Sequence, residues 1–457
     1  MLLDIVILAA GLGKRMHSKK PKVLHKLAGK TMLERVVDTA TRLNPNAIHV
    51  VVGHHSEMIQ DELSHLKVNW VKQDMQLGTG HAVLQTLPHL SENSHVLILS
   101  ADVPLIQLET LHGLIASTIG STVTDLGLLV ACVDDPYGFG RVVRDGAERI
   151  HAIVEEKDAS ANQKKIDEIY SGICLAHREA LNRWLPKLSN QNAQEEYYLT
   201  EIIAMASNEG VEIASMEASD PLEILGVNDR KQLQMLERAF QKRLAEQLLI
   251  QGVHVVDAAR IDIRGILECG LDVCIDVNSV FEGSVSIGEG SVIGPNCVLK
   301  NVKIGEHCQV LANSVLENCQ IGDHCQIGPF ARIRPGTILA SNCKIGNFVE
   351  VKNAVFDEGS KANHLSYLGD VTIGKHVNIG AGTITCNYDG ANKYQTVIED
   401  GAFIGSDTQL VAPVTVGKDA TIGAGSTIRK DAPPGELTLT ENRQKTISGW
   451  KRPVKES

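Results

Sequence analysis

Two segments near the start of the sequence carry residues that could hold phosphate groups. Residues 8–16 read LAAGLGKRM and follow an aliphatic run, and the glycines would let backbone N–H groups approach a phosphate. The segment is not a dinucleotide-binding fingerprint, because Met16 stands where the third glycine is required. Arg15 adds a planar set of N–H donors, and Lys22 follows closely enough to reach the same phosphates. The alternative for Lys22 is a solvated lysine on the surface.

A carboxylate at the end of a predicted strand is a candidate metal ligand. Asp102 follows the largely aliphatic residues 95–100. An aspartate at that position is costly to place beside a core unless it binds something. Mg²⁺ prefers one or two carboxylates together with phosphate oxygens, and it is therefore the expected ion. The alternative is that Asp102 caps a helix beginning near Gln107.

The elements that must position these residues alternate between strand and helix up to about residue 230. This alternation indicates an α/β domain with a mostly parallel, Rossmann-like sheet, whose ligands lie at the carboxyl ends of the strands. The predicted strands are residues 4–10, 47–52, 95–100, 126–133 and 169–176, and the predicted helices are residues 32–43, 80–90 and 193–207.

One long helix is predicted between residues 228 and 252. Its apolar residues recur three or four apart and Gly252 provides a stop. A coiled-coil seam is one interpretation, but the absence of a sustained heptad favours a connecting arm packed on its neighbours. The apolar positions are Leu233, Leu236, Phe240, Leu244 and Leu248.

The second half of the sequence repeats an aliphatic residue at every sixth position, usually followed by glycine. This period fits neither a helix nor an alternating strand, and it is typical of a parallel β-helix whose triangular coils each use three repeats. The repeated positions are Ile275, Phe281, Ile287, Ile293, Leu299, Ile304 and Val310, then Val315, Ile321, Ile327, Ile333, Leu339, Ile345 and Val351, and finally Ile398, Ile404, Leu410, Val416, Ile422 and Ile428.

The repeat is interrupted twice, between residues 351 and 373 and between residues 379 and 398. Solenoids extrude loops from one face, and these loops commonly form the binding surface. Polar and aromatic residues concentrate in the two interruptions, with His364 and Tyr367 in the first and Asn387 and Tyr388 in the second. We therefore expect a site on two extruded loops.

Composition limits the class of protein. A chain of 457 residues predicts two or three domains, and a net charge of −11 argues against a nucleic-acid partner. No segment reaches the roughly 18 apolar residues needed to span a bilayer. The ten cysteines lack metal-ligand spacing and are typical of small buried hydrophobes in a reducing cytosol. We expect a cytoplasmic protein without a membrane span.

Several of these segments carry a resemblance. Residues 8–16, 21–24, 76–82 and 102–105 resemble the sugar-nucleotide pyrophosphorylases. Together with residues 363–367 and 380–393, they make the whole chain similar to the bacterial bifunctional N-acetylglucosamine-1-phosphate uridylyltransferases/glucosamine-1-phosphate acetyltransferases. The resemblance implies a left-handed β-helix, a homotrimer and small-molecule sugar phosphates as partners. It implies a uridylyltransferase domain at residues 1–230, a linker helix at residues 231–251 and an acetyltransferase domain at residues 252–457 that ends in a basic tail.

For the first domain, the resemblance implies transfer of UMP from UTP to N-acetylglucosamine-1-phosphate with release of pyrophosphate. Arg15 and Lys22 would neutralise the phosphates, and Asp102 and Asn228 would hold Mg²⁺. This chain departs from the family at Ser100-Ala101, where Tyr-Gly is usual, and at Tyr170, where Asn is usual. The implied contacts of UTP and the nucleotide sugar are Leu8, Ala9, Ala10, Gly11, Lys22, Gln73, Gly78, Thr79, Ser100, Ala101, Asp102, Gly140, Glu155, Tyr170 and Asn228.

For the second domain, the resemblance implies acetyl transfer from acetyl-CoA to glucosamine-1-phosphate, which supplies the first reaction and, through it, cell-wall and lipid A precursors. This transfer needs a base near neutral pH, and His364 is the implied general base. The family usually has an arginine where this chain has Glu441, and Arg443 is expected to supply the missing charge. The implied sugar-phosphate contacts are Arg334, Lys352, Tyr367 and Asn378, and the implied acetyl-CoA contacts are Ala381, Asn387, Tyr388, Ser406, Ala424 and Arg443.

Two other functions are consistent with the same fold. One is a single-activity nucleotidylyltransferase whose β-helix only oligomerises or regulates, and the presence of His364, Arg334 and Lys352 argues against it. The other is a non-catalytic binding module, and the presence of Lys22 and Asp102 argues against that.

Overall fold

The computed structural model describes residues 2–11, 13–120, 124–441 and 443–453. The chain forms two compact units, an N-terminal unit (Met1–Phe240) and a C-terminal unit (Gln241–Ser457). Within the described residues, no helix is both long enough and apolar enough to cross a membrane.

A nine-stranded, mostly parallel sheet organises the N-terminal unit. Its strands, with a separate pair formed by β2 and β3, are β1 (Leu3–Leu8), β2 (Lys26–Leu27), β3 (Lys30–Thr31), β4 (Ala47–Val52), β5 (Asn69–Lys72), β6 (His95–Ser100), β7 (Leu126–Cys132), β8 (Gly140–Arg144), β9 (Ile150–Val154), β10 (Glu168–His177) and β11 (Ile213–Glu217). The order is β11-β7-β10-β6-β1-β4-β5, and β8 with β9 extends from β10. β1 runs parallel to β4 and β6, whereas β10 runs antiparallel to β6 and β7.

Helices cover both faces of this sheet and bury two apolar layers against it. The helices of the chain are α1 (Met32–Thr41), α2 (Ser56–Glu62), α3 (Thr79–Leu84), α4 (Leu108–Ile119), α5 (Arg178–Trp184), α6 (Glu201–Asn208) and α7 (Arg230–Ile250). Short 3₁₀ turns lie at Lys14–Met16, Lys22–Leu24, Leu87–His89, Gln163–Lys165, Leu185–Lys187, Pro221–Ile224 and Ala258–Arg260.

Two predicted helices are shorter in the structure. The helix predicted at 80–90 ends at Leu84, and a 3₁₀ turn containing Pro88 follows, because proline lacks the amide N–H that a helix interior requires. The helix predicted at 193–207 begins only at Glu201. Residues before it run past α3 instead, where the Tyr197 amide bonds to the Leu77 carbonyl and the Tyr197 carbonyl accepts from Gly80.

The long helix α7 crosses the boundary between the units, and each half packs on its own unit. Leu236 is fully buried in the N-terminal unit, and Leu248 is buried against the solenoid core of the C-terminal unit. Both contacts favour the connecting arm over a coiled-coil seam.

The C-terminal unit is a left-handed parallel β-helix, as predicted. Its strands are β12 (His254–Val255), β13 (Ile261–Cys269), β14 (Cys274–Ile275), β15 (Ser279–Ile287), β16 (Val292–Ile293), β17 (Val298–Ile304), β18 (Gln309–Val310), β19 (Val315–Ile321), β20 (Gln326–Ile327), β21 (Arg332–Ile333), β22 (Ile338–Leu339), β23 (Lys344–Asn347), β24 (Glu350–Phe356), β25 (Lys361–His364), β26 (Tyr367–Ile373), β27 (Asn378–Ile379), β28 (Ile384–Cys386), β29 (Thr396–Ile398), β30 (Phe403–Ile404), β31 (Gln409–Val411), β32 (Val414–Val416), β33 (Thr421–Ile422), β34 (Thr427–Ile428) and β35 (Leu437–Thr438).

The first predicted interruption of the repeat is wrong. Val351 pairs with Leu368 and Phe356 pairs with Ile373, so the coil closes after 17 residues without an extruded loop. Its inward positions, Phe356 and Ala362, are fully buried, but one is aromatic and the other small, and neither matches the aliphatic pattern. One inward position was also misplaced, because Leu316 is fully buried whereas Val315 is only half-buried.

The second interruption is a real insertion. Ile373 pairs with Ile398 and Ile384 pairs with Gln409, so that this coil advances by 25 residues instead of 17 or 18. The additional residues leave the coil between β28 and β29, where Asn387, Tyr388 and Asp389 lie. The insertion therefore carries polar residues out of the solenoid, as predicted.

The cysteines are free thiols, as expected from their spacing. Buried ones in the solenoid donate to backbone carbonyls, as Cys308 Sγ does to Gly322 at 3.0 Å. Ser291 makes the equivalent contact through its hydroxyl to Gly305 at 2.9 Å. No group of three His, Cys, Asp or Glu side chains in the described ranges could hold a metal ion.

We predict that Phe356→Ala lowers the free energy of unfolding of the solenoid by about 3–5 kcal/mol, because it removes a fully buried ring and leaves a cavity. Phe403→Ala, at a half-exposed position of the same solenoid, is the matched control and should cost much less. Denaturant unfolding monitored by circular dichroism measures both. Equal losses from the two variants would contradict the inward position of Phe356.

Candidate active sites

A pocket of about 460 Å³ opens at the carboxyl ends of β1 and β6. β1 and β6 pair Leu8 with Ser100, and this register brings the glycine-rich turn after β1 beside the aspartate after β6. Most of the residues predicted to bind the nucleotide line the pocket together. They are Leu8, Ala9, Ala10, Gly11, Arg15, Lys22, Gln73, Gly78, Thr79, Ser100, Asp102 and Asn228.

Lys22, Asp102 and Asn228 meet at the floor of this pocket. The Lys22 ammonium forms an ion pair with Asp102 and lies 3.4 Å from the amide oxygen of Asn228. The backbone N–H of Val227 donates to the carbonyl of Asp102 at 2.8 Å, and this bond brings the segment before α7 to the end of β6. The Lys22 side chain is only 11% exposed, which excludes a solvated surface lysine.

The charge of Asp102 is stabilised locally. Burial alone would raise the pKa of its carboxyl group, but the Lys22 ammonium and the Ser100 hydroxyl outweigh burial, so the pKa lies below its ordinary value. The Ser100 hydroxyl donates to the carboxylate at 2.6 Å. Asp102 does not cap the following helix, because α4 begins after Gln107.

The donor set at the pocket floor fits Mg²⁺. It combines one carboxylate with one amide oxygen, and both can accept from a hard cation whose other ligands are phosphate oxygens and water. Lys22 now satisfies both oxygens. A cation with its phosphates would share this role with Lys22.

The glycine-rich turn approaches Lys22 closely. Gly13 has a φ of 58°, and a Cβ at this position would come within 2.7 Å of the Lys22 Cβ. Arg15 follows on a 3₁₀ turn with an exposed side chain. Leu12 lies outside the described residues.

The opposite end of the pocket is shaped by Gln73, Gly78 and Thr79. The Gln73 side chain is 2% exposed and its amide nitrogen lies 3.2 Å from the Gly78 carbonyl. Gly78 has a φ of 117°, and a Cβ there would lie 2.6 Å from the carbonyl oxygen of Tyr197. The Thr79 hydroxyl accepts from the Leu199 amide at 3.0 Å. The 77–80 turn and the segment before α6 therefore hold each other in place.

Three predicted sugar contacts form a second group that does not line this pocket. Gly140 pairs with Tyr170 in the ladder between β8 and β10, and a Cβ on Gly140 would lie 3.7 Å from a Glu155 carboxylate oxygen. Thr200 donates to the other Glu155 oxygen at 3.0 Å, and burial raises the pKa of Glu155. Burial also raises the pKa of Tyr170 well above its ordinary value.

Ala101 is fully buried in the core and does not line the pocket. Sequence analysis missed several residues that do, namely Gly13, Lys14, Val23, Gln76, Ala82 and Glu196. Glu196 was missed because its segment was predicted to be helical. Gln76 and Ala82 belong to the motif at residues 76–82, which was a signal for both.

A second group of predicted residues gathers on one part of the solenoid surface. His364 ends β25, and its Nδ1 lies 3.0 Å from the amide oxygen of Asn347 one coil away. His364 is exposed, but it belongs to a regular coil and not to an extruded loop as predicted. Tyr367 starts the next strand of the same coil.

Arg334 and Lys352 follow one another on adjacent coils of the same face. The Arg334 amide bonds to the Val351 carbonyl at 2.8 Å, and Lys352 pairs with Gly369 on the next coil. Arg334 forms an ion pair with Glu350 at 2.7 Å. The face thus carries two cations directly beside the coil that holds His364 and Tyr367.

The inserted loop returns to this face. The Asn387 amide donates to Asp370, and Tyr388 is exposed with its hydroxyl donating to the Gly390 carbonyl at 2.6 Å. Burial would raise the pKa of Asp370, but Asn353, Asn387 and the Lys352 ammonium outweigh it and the pKa is lowered. Asn378 lies on the coil after His364, paired with Lys361.

Ala381, Ser406 and Ala424 follow one another at one corner of successive coils. The Asp407 amide bonds to the Ala381 carbonyl at 2.7 Å, and the Gly425 amide bonds to the Ser406 carbonyl at 2.8 Å. Arg443 lies beyond the last strand and is exposed, as is Glu441. The end of the basic tail, residues 454–457, lies outside the described residues.

Comparisons with known families agree with two differently built halves. The model of the MobA-like NTP transferase domain matches residues 5–160. The GMPPB C-terminal domain matches residues 270–356, and the bacterial transferase hexapeptide (six repeats) matches residues 395–430.

Known relatives match both halves at once. A bifunctional protein GlmU of Legionella pneumophila subsp. pneumophila is 61% identical over 457 residues, covering 100% of this chain and 99% of the relative. Those of Marinobacter nauticus and Ralstonia nicotianae are 53% and 52% identical, and each alignment covers 99% of both proteins. Since the identity extends over both units and all the predicted site residues, this chain belongs to the family of bifunctional GlmU proteins.

Proposed function

We propose that the chain catalyses two reactions at two separate sites. The C-terminal unit transfers the acetyl group of acetyl-CoA to the amine of glucosamine-1-phosphate. The N-terminal unit then transfers UMP from UTP to the N-acetylglucosamine-1-phosphate so formed and releases pyrophosphate. The observation that carries the proposal is that Lys22, Asp102 and Asn228 meet in one pocket, while His364, Arg334 and Lys352 share one surface of the solenoid.

In the uridylyl reaction the protein contributes position and charge. The sugar-phosphate oxygen attacks the α-phosphorus of UTP, and the bond to the departing pyrophosphate breaks. Lys22, Arg15 and the backbone N–H groups of the glycine-rich turn neutralise the phosphate oxygens. Mg²⁺, when held by Asp102 and Asn228, supplies further positive charge to the same oxygens.

In the acetyl reaction the tautomer of His364 is fixed by Asn347. The Asn347 amide oxygen can only accept, so the His364 Nδ1 must carry the hydrogen and Nε2 keeps its lone pair. Nε2 takes a proton from the amine as its nitrogen forms a bond to the thioester carbon, and the proton passes to the CoA sulfur when the C–S bond breaks. Backbone N–H groups or Ser406 donate to the carbonyl oxygen as it gains negative charge.

Arg334 and Lys352 hold the sugar phosphate beside His364, and Tyr367, Asn378, Asn387 and Tyr388 surround the sugar and the thioester. The corner formed by Ala381, Ser406 and Ala424 is the proposed CoA groove. In the N-terminal unit, Glu155, Gly140 and Tyr170 hold the sugar of the second substrate. A cytoplasmic location remains part of the proposal, and the free cysteines support it.

We further propose that the solenoid assembles as a homotrimer, and an exposed apolar column supports this. The rings of Phe330 and Phe348 stack with centroids 5.3 Å apart, and Leu365 continues the column on the next coil. All three have positive φ, which is unusual for bulky side chains. A column kept exposed at this cost, directly beside Asn347 and His364, is suited to contact another copy of the chain.

The test of the two reactions is incubation of the protein with glucosamine-1-phosphate, acetyl-CoA, UTP and Mg²⁺, with free CoA and pyrophosphate measured separately. Release of both supports the proposal. Release of pyrophosphate alone, with N-acetylglucosamine-1-phosphate supplied, would favour the single-activity enzyme. Release of neither would favour the binding module.

Asp102→Ala should abolish pyrophosphate release, because it removes the carboxylate that binds the metal and pairs with Lys22, and it should leave acetyl transfer nearly unchanged. His364→Ala should do the reverse, with a loss of roughly 10²–10⁴-fold in acetyl transfer if it is the general base. Both activities are assayed on each variant. Loss of both reactions in either folded variant would contradict the two-site model.

For the oligomer, the variant is Phe330→Asn combined with Phe348→Asn. Asparagine already occupies corners with positive φ at positions 278, 296 and 313, so the backbone should tolerate the change. Loss of two buried rings should weaken assembly at least about 100-fold, which sedimentation measures as a fall in mass. Asn313→Ala is the control at another corner. An unchanged mass at low micromolar concentration would contradict the interface.

Arg443→Ala should raise the KM for acetyl-CoA several-fold and raise it much less for the analogue lacking the 3′-phosphate, because an exposed charge contact contributes about 1 kcal/mol or less. Glu441→Arg, which restores the charge usual in the family, should lower the KM for acetyl-CoA. Equal effects of Arg443→Ala on both thioesters would remove Arg443 from the CoA site.

A further inference from the structure

His81 lies between two glutamine side chains at the base end of the nucleotide pocket. Its Nδ1 is 3.0 Å from the amide nitrogen of Gln73, and its Nε2 is 3.2 Å from the amide nitrogen of Gln85. A neutral imidazole has one nitrogen that donates and one that accepts, so the two glutamines cannot both be donors to the ring. One amide must therefore present its oxygen to His81.

The orientation of Gln73 is fixed by the backbone. Its amide nitrogen is also 3.2 Å from the Gly78 carbonyl, which can only accept. The nitrogen therefore faces both the Gly78 carbonyl and the His81 Nδ1, and both N–H groups of the amide are used. Gln73 is 2% exposed, so it has little freedom to rotate.

Gln85 is the amide that can adapt. It is half-buried at the surface, and besides His81 Nε2 its contact is the His81 carbonyl at 3.3 Å. Turning its amide places the oxygen against the N–H of His81 Nε2 and gives up only that long bond. The consistent arrangement has Nδ1 accepting from Gln73 and Nε2 donating to Gln85.

This arrangement leaves only an acceptor of Gln73 for a ligand. Within the described part of the chain no donor contacts the Gln73 oxygen, and Gln73 lines the nucleotide pocket. The Watson–Crick edge of uracil has one donor, the N3–H group, whereas N3 of cytosine is itself an acceptor. An amide that offers only its oxygen at N3 accepts uracil and leaves two acceptors facing each other with cytosine.

We infer that His81 is a positioning residue that locks the Gln73 amide with its oxygen toward the nucleobase and thereby selects uracil over cytosine. The inference rests on the proposed uridylyl function, in which Gln73 contacts the base. His81 itself uses both ring nitrogens within the protein, so it acts through Gln73 and not on the nucleotide.

The test is the ratio of kcat/KM for UTP to that for CTP, measured by pyrophosphate release from the full-length protein with N-acetylglucosamine-1-phosphate and Mg²⁺. His81→Phe keeps a ring of similar shape without an acceptor and frees the Gln73 amide to turn its N–H₂ toward N3 of cytosine. The ratio should fall at least about ten-fold, mainly through improved use of CTP. His81→Leu is the second apolar variant.

Two matched variants separate this role from a structural one. His81→Gln can still accept from Gln73 through its side-chain oxygen and should recover much of the preference for UTP. Gln85→Ala should leave the ratio within about two-fold, since the Gly78 carbonyl and not Gln85 fixes Gln73. Acetyl transfer by the same preparations reports whether each variant is folded.

Equal losses with UTP and CTP in both apolar variants, or a His81→Gln variant that behaves like His81→Phe, would overturn the inference. So would a wild-type protein that uses UTP and CTP equally. These results differ from failure of the proposed function, in which the wild-type protein releases no pyrophosphate with UTP at all.

Discussion

Both candidate sites depend on the register between parallel strands. In the N-terminal unit, the pairing of Leu8 with Ser100 ends β1 and β6 at the same level, so that the residues after each strand meet at one edge. In the C-terminal unit, the ladder from β21 to β24 and β26 places Arg334, Lys352 and Gly369 one coil apart. A shift of one residue in either ladder would turn inward side chains outward and scatter the site. The aliphatic residues that fix the register are thus as necessary to the sites as the polar residues themselves.

Within the nucleotide pocket, the charged groups hold each other in the form that binds phosphate. The Lys22 ammonium lowers the pKa of Asp102, and the carboxylate keeps the cation at the pocket floor without a ligand. An incoming nucleotide and its metal therefore meet side chains that are already charged and placed. Such preorganisation is the main contribution a protein makes to phosphoryl transfer.

The sequence was most informative where spacing alone sets the structure. The six-residue period predicted the β-helix, and strands 47–52 and 95–100 have the predicted bounds. The prediction failed where tertiary contacts decide the local fold. Phe356 and Ala362 keep a 17-residue coil closed although neither fits the aliphatic pattern, and the segment before α6 is held by Leu77 and Gly80 instead of forming a helix. His81 illustrates the same limit, since its role depends on the Gly78 carbonyl and on two amides that no spacing rule connects.

The inserted loop shows how this solenoid can change its surface without changing its frame. On each of the three faces the register advances by 25 residues across the insertion, as from Asn378 to Phe403, and then returns to 18. The coils on either side therefore stay in phase, and the loop is a separable module. Its length and residues can diverge between related proteins while the stacking below and above it is preserved, so that new acyl donors or acceptors can be accommodated by exchanging one segment.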